Sequence, residues 1–119
     1  MGFMKIPSEH DEQVAVVRWL RKSGYFVFAV PNGGMRDAIT AKRLKDEGAM
    51  SGIPDLQIVL PEGKVIWIEL KRREGGRLSP VQKEVHKRLE ELGHVVIVGY
   101  GAKDAKEKFK ETLQACDRI

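Results

Sequence analysis

The chain has 119 residues, 42% hydrophobic and 32% charged, with a formal net charge of +4 and a pI near 9.3. That length supports a single domain, 1–119, with a real core and no second module, and the composition is that of a soluble globular protein. The single cysteine, Cys116, excludes an intramolecular disulfide, no C-x-x-C or H-x-x-x-H pattern suggests zinc, and no apolar run approaches a membrane span.

Ser8 to Lys22 reads as a helix. Ser8 caps it, Asp11 completes a capping box, acids crowd its positive end, and Val16, Val17 and Leu20 form the buried stripe. Tyr25 to Val30 reads as a strand ending at Pro31, Asn32-Gly33-Gly34 as a loop, and Arg36 to Asp46 as a short helix. Asp55 to Leu60 and Val65 to Lys71 are rich in Val, Ile and Leu and form a hairpin. Arg72 to Leu78 is a basic, glycine-bearing loop, and Ser79-Pro80 opens a helix that runs to Leu92 and stops at Gly93. Val95 to Val98 is a buried strand and Ala102 to Ala115 a final amphipathic helix. The order αβ(α)ββαβα predicts an α/β fold, a mixed four-stranded sheet flanked by helices on both faces.

The hairpin register carries the chemistry. Pro61-Glu62-Gly63 suits a type I turn followed by a left-handed glycine, which pairs Leu60 with Lys64, Ile58 with Ile66, Leu56 with Ile68 and Asp55 with Glu69. One face then shows Leu56, Ile58, Leu60, Ile66, Ile68 and Leu70, all apolar; the other shows Asp55, Gln57, Val59, Val65, Trp67, Glu69 and Lys71. A two-residue loop would slip the register and turn Asp55 into the core. Directly opposed like charges destabilise a strand pair. Three explanations stand for the acidic pair: a solvated face with Lys71 neutralising Glu69, one proton shared between raised carboxylates, or a hard cation held by oxygen ligands. The cation is the favoured reading, because two acids and a lysine around a metal are a common device for cutting phosphodiesters.

The other candidates are plainer. His10, His86 and His94 have no mutual metal spacing and read as ordinary residues, and Trp19 and Trp67 read as packing residues. The basic balance favours a polyanionic partner. The start lacks a signal-peptide pattern, with Glu9, Asp11 and Glu12 early, so an intracellular, cytoplasmic protein with no membrane association is expected.

Six stretches, in order along nearly the whole chain, carry a family likeness: Ser8-Glu9-His10-Asp11-Glu12-Gln13, Pro31-Asn32-Gly33-Gly34, Arg43-Leu44-Lys45-Asp46-Glu47-Gly48, Gly52-Ile53-Pro54-Asp55, Ile68-Glu69-Leu70-Lys71 and Leu78-Ser79-Pro80-Val81-Gln82. With them the chain resembles the VRR-NUC branch of the PD-(D/E)xK nucleases, which have a restriction-endonuclease-like fold, and most of all the compact stand-alone members often found in phages. The resemblance implies a Mg²⁺- or Mn²⁺-dependent endonuclease acting on DNA by structure and leaving a 5′-phosphate and a 3′-hydroxyl. Its relatives include Holliday-junction resolvases that work as homodimers and a flap nuclease domain of larger repair proteins. Carried over by residue, Asp55 and Glu69 would hold the metal with the Leu70 carbonyl, and Lys71 would orient or activate the attacking water.

The family also places an acid on the first helix, where Glu9, four before Gln13, matches its pattern; the ordinary reading is dipole stabilisation at the first turn, and Glu12 is a rival on the Val16 face. Gln82 completes a capping box with Ser79, while the family pattern puts a glutamine here near the metal or phosphate, and both roles stand. Asn32 either makes the turn or helps its loop hold a phosphate. Arg36, with Lys42, Arg43 and Lys45, is either a solvated helical face or a DNA contact, whereas Arg72, Arg73 and Arg77 beside Lys71 have the better claim to DNA phosphates. The expectation is a structure-selective DNA endonuclease, dimeric and resembling a junction resolvase, with branched DNA as its partner. A monomeric flap endonuclease or nickase, and a non-catalytic DNA-binding module of the same fold, are the alternatives.

Overall fold

The computed structural model describes residues 5–31 and 37–117. Its elements run α1 (Glu9–Lys22), β1 (Phe26–Ala29), α2 (Ala38–Asp46), β2 (Leu56–Val59), β3 (Val65–Lys71), α3 (Pro80–Glu91), β4 (Val95–Tyr100) and α4 (Ala102–Asp117). The strands form one sheet in the order β1-β2-β3-β4. The first two pairings are antiparallel, and β4 runs parallel to β3 after the crossover through α3.

Leu56 pairs with Ile68 and Ile58 with Ile66, as the loop length predicts. The turn itself differs from expectation. Glu62 (φ 66°, ψ 26°) and Gly63 (φ 75°) are both left-handed. That is type I′ geometry, whose twist matches the flanking strands, in place of a type I turn with one left-handed glycine. The register survives, because Leu60 N still donates to Lys64 O at 2.8 Å.

With this register, Leu56, Ile58, Ile66, Ile68 and Leu70 all point to one face, where Val16 and Leu20 of α1 and Ala105 and Phe109 of α4 cover them. Fully burying each large aliphatic or aromatic side chain contributes about 1.5–3 kcal/mol, so this face holds the fold and the opposite face is free to carry less favourable groups. Phe109 is also met edge-on by Trp19 and Tyr25, with ring centroids 5.9 and 5.1 Å away. Helix α3 lies over the opposite face at β3 and β4. The β1–β2 half of that face stays open, and Phe26, Phe28 and Val59 are exposed on it.

The helix ends follow local chemistry. Ser8 Oγ accepts from Asp11 N at 3.1 Å, which is the serine half of the capping box read there. On α1 only Val16 and Leu20 of the expected stripe are fully buried; Val17 is half-buried, and Glu12 completes the inward face. Helix α2 starts at Ala38 because Asp37 caps it, Oδ1 accepting from Thr40 N at 2.8 Å. Strand β4 runs two residues longer than expected, since parallel pairing continues to Lys71 and Tyr100.

Candidate active site

Asp55 immediately precedes β2, one step beyond the Leu56–Ile68 pair, which sets it opposite Glu69. Asp55 Oδ2 accepts from Leu70 N at 2.8 Å. The N–H and C=O of one strand residue point to the same side, so the Leu70 carbonyl opens toward Asp55 past the end of β2. Glu69 is 2% exposed, so the solvated-face reading of the acidic pair fails. Burial, then the hydrogen bond to Asp55 and its charge, push the Glu69 carboxyl up to about 9 against the opposing charge of Lys71. A carboxyl so placed keeps a proton at neutral pH until a cation replaces it.

Glu9, Asp55, Glu69, Leu70, Lys71 and Gln82 line a single cleft of about 950 Å³. The far wall is α2, whose Lys42 and Lys45 also face it, although α2 buries none of its own residues. Among the described residues, no three His, Cys, Asp or Glu side chains converge at metal-holding distance. Asp55 and Glu69 stand opposite each other in the cleft, and exposed Glu9 also lines it.

The two acids of α1 separate cleanly. Glu9 is exposed and lines the cleft. Glu12 is 3% exposed and is not among the residues that line the cleft. Its carboxylate accepts from Arg73 Nη2 at 2.9 Å, from Arg73 Nε at 3.0 Å and from Ala102 N at 3.2 Å. The Arg73 hydrogen bonds hold its pKa below the usual carboxylate range. Gly101 makes this clasp possible: a Cβ there would collide with Glu12 Oε2 and the Arg73 side chain. Arg73, expected as a DNA contact, grips the buried Glu12 carboxylate bidentately through Nε and Nη2 while its own side chain stays 51% exposed. Arg72 and Arg77 are exposed on the same loop. Asn32 and Arg36, and with them the glycine loop, lie outside the described residues.

Gln82 performs both halves of its capping box: its N donates to Ser79 Oγ at 3.1 Å, and its Oε1 accepts from Ser79 N at 2.9 Å. The same side chain lines the cleft, so the cap does not remove it from the site. Trp67 is a packing residue as expected, its Nε1 donating to His94 Nδ1 at 2.9 Å.

His86 is the residue that sequence reasoning missed. Its Nε2 lies 3.1 Å from Glu69 Oε1, with both side chains buried, and burial pushes the imidazole pKa down. The available signal was its position four residues after Gln82, which puts both on one face of α3.

Comparison with known proteins agrees with this arrangement. The model of the VRR-NUC domain family matches residues 7–103. The chain is 47% identical over 47 residues to "Putative nuclease p44" of Acyrthosiphon pisum secondary endosymbiont phage 1, an alignment covering 40% of this chain. That alignment spans 50% of the phage protein. A solved structure titled "VRR_NUC domain protein" superposes with a TM-score of 0.75 at 21% identity, covering 91% of this chain and 89% of that one. A second, "VRR_NUC domain", gives 0.64 at 24% identity, covering 86% and 94%. At such identities the likeness is one of fold, and it bears out the α/β, restriction-endonuclease-like arrangement.

Proposed function

The chain belongs to the VRR-NUC domain family, and from that membership and the cleft we propose that it is a divalent-metal-dependent endodeoxyribonuclease. Its substrate on this reading is branched DNA, which it cuts as a homodimer in the manner of a Holliday-junction resolvase. The observation that carries the enzyme reading is the pair Asp55 and Glu69, opposed on adjacent strands in one cleft with Lys71. Nothing in the fold demands two acids there, and their proximity costs stability unless a proton or a cation is shared.

The donor set fits Mg²⁺ or Mn²⁺. Asp55, Glu69 and the Leu70 carbonyl offer only oxygen, which suits hard cations and excludes a thiolate or imidazole site. A cation bound there would polarise the scissile phosphoryl oxygen and make the attacking water more acidic. The chain's own residues supply the rest. Asp55 is held through Oδ2 by Leu70 N and lines the cleft. The Lys71 ammonium offsets charge developing on the phosphoryl oxygens and orients the water for attack at phosphorus. The bond from phosphorus to the 3′ oxygen breaks, leaving a 5′-phosphate and a 3′-hydroxyl. Glu9 adds negative charge at the rim, and Gln82 stands where its amide can meet a phosphate. Lys42 and Lys45 are exposed cations lining the cleft, and Arg72 and Arg77 are exposed on the loop after β3; all suit phosphate contacts that need no sequence code.

One feature supports the finer reading. The exposed strip of Phe26, Phe28 and Val59 on β1–β2 is apolar surface of the kind that association covers. The test is incubation of the purified protein with Mn²⁺ and four-way, flap and linear DNA, alongside its mass in solution. Symmetric cuts in the four-way substrate by a dimer are expected. Flap cleavage by a monomer would replace the resolvase reading, and binding without cleavage would replace the enzyme reading.

A further inference from the structure

His86 reaches the buried acid of the cleft and is the one fully buried residue of α3. Its ring nitrogen Nε2 is 3.1 Å from Glu69 Oε1, and the two side chains are 6% and 2% exposed. Water does not compete at such a site, and among the described residues no buried side-chain nitrogen or oxygen lacks a partner. Glu69 therefore has two unlike oxygens: Oε1 is taken by the imidazole, and Oε2 is free of that bond.

We infer that His86 is a positioning residue for the metal-holding carboxylate: its Nε2–H fixes Glu69 Oε1 so that Oε2 is presented to the cation shared with Asp55. This rests on the metal-dependent reading above. A carboxylate serving as a ligand has no proton to give, so the imidazole must be the donor, and the ring is thereby held in the Nε2–H tautomer. The terminal torsion of a glutamate is broad and roughly two-fold, so nothing in the side chain itself holds one oxygen toward Asp55. The bond from α3 supplies that constraint. Gln82, one turn earlier on the same helix, lies at the opening of the cleft, so α3 brings one polar group to the rim and one behind the ligand. Hydrogen-bonding partners of metal-ligating groups are worth about 10–100-fold in metal affinity. A merely structural tether between α3 and β3 would instead affect melting and leave the affinity alone.

The experiment compares wild type, His86→Leu and His86→Gln by calorimetric titration with Mn²⁺ in the absence of DNA, with Tm measured under chelator. Glutamine places an amide N–H near the position of Nε2, and leucine removes the donor. His86→Leu is expected to bind Mn²⁺ about 10–100-fold more weakly, with His86→Gln recovering most of that loss. Equal affinity for wild type and His86→Leu overturns the inference. Should the leucine variant not fold, ¹⁵N spectra of the wild-type imidazole with saturating Mg²⁺ decide: a protonated Nε2 is expected, and a bare Nε2 overturns it. A wild-type protein that binds no Mn²⁺ instead removes the metal-dependent reading, and this inference with it.

Discussion

The backbone N–H of Leu70 donates to Asp55 Oδ2 at 2.8 Å, so the residue that follows Glu69 in the chain orients the acid facing Glu69. One strand thus contributes an acid, the bond that aims the other acid, a carbonyl pointing the same way, and, at Lys71, the ammonium. The arrangement needs no loop to close and no domain to move. Its cost is a buried carboxyl, Glu69, beside the half-buried Asp55, and that cost is measurable.

Without a cation, Glu69 keeps its proton in the folded protein up to about pH 9 against an ordinary value of 4.5. Between those values the folded state binds a proton that the unfolded state has released, so stability falls as pH rises through the window and levels off above it. Glu69→Gln removes this dependence. In chelator, the Tm of the wild type is expected to decline from pH 5 to pH 9 relative to that of Glu69→Gln, by at most about 1.4 kcal/mol of stability per pH unit. Mn²⁺ should raise the Tm of the wild type at pH 8 and leave that of the glutamine variant unchanged. Parallel Tm curves for the two proteins in chelator would refute the buried-carboxyl account.

Lys71→Met keeps the aliphatic stem and removes the charge. Cleavage is expected to fall about 10²–10³-fold in kcat, as for loss of one preorganised electrostatic contact to a transition state. Binding of DNA in Ca²⁺, measured by fluorescence anisotropy, should change far less, because Arg72, Arg77, Lys42 and Lys45 remain. A comparable loss in both measurements would make Lys71 a binding residue only.

Glu9 and Glu12 should give opposite results. Glu9 is exposed at the rim of the cleft, so Glu9→Gln is expected to leave Tm unchanged and to reduce the cleavage rate at limiting Mn²⁺. Glu12 accepts three hydrogen bonds, two from Arg73 and one from Ala102 N, and an amide cannot accept from a guanidinium fork in the same way. Glu12→Gln is therefore expected to lower Tm. Melting curves and rates for both variants across a Mn²⁺ series check the assignment, which fails if Glu12→Gln melts like the wild type.

The contrast shows where the sequence was legible. The hairpin register followed from the length of the Pro61-Glu62-Gly63 loop, since strand alternation then fixes every side chain to a face; the turn type differed, but a turn type with the same residue count leaves the faces unchanged. The spacing sets Glu12 on the Val16 face, but the partners that let a carboxylate be buried there were not legible. Its burial depends on Arg73 and Ala102, far along the chain, and on the missing side chain at Gly101. His86 was hidden for a related reason. Helical spacing puts it on the Gln82 face of α3, but only the parallel pairing of β4 with β3 decides that Glu69 lies beneath that face.

Gly52 tests how tightly the approach to Asp55 is set. It has φ +87°, and a Cβ there would lie 2.9 Å from both Cγ1 and the backbone carbonyl of Val81 and 3.0 Å from Val85 Cγ2. A left-handed L-residue costs about 1–2 kcal/mol on backbone grounds alone. The contact with Val81 adds to this, because a carbonyl in the first turn of α3 cannot swing aside as a side-chain tip can. Either the Gly52-Ile53-Pro54-Asp55 segment shifts, which moves Asp55 relative to Glu69, or α3 shifts, which moves Gln82 and His86 relative to Glu69. Gly48→Ala is the matched control, since Gly48 is also left-handed at φ +109° but a Cβ there meets nothing within 4 Å. Both alanine variants should lose stability in urea unfolding. Only Gly52→Ala should also lose cleavage beyond its folded fraction, by roughly 10²-fold if Asp55 is displaced by about 1 Å. Equal rates for the two folded variants would show that the segment before Asp55 adapts without moving the carboxylate.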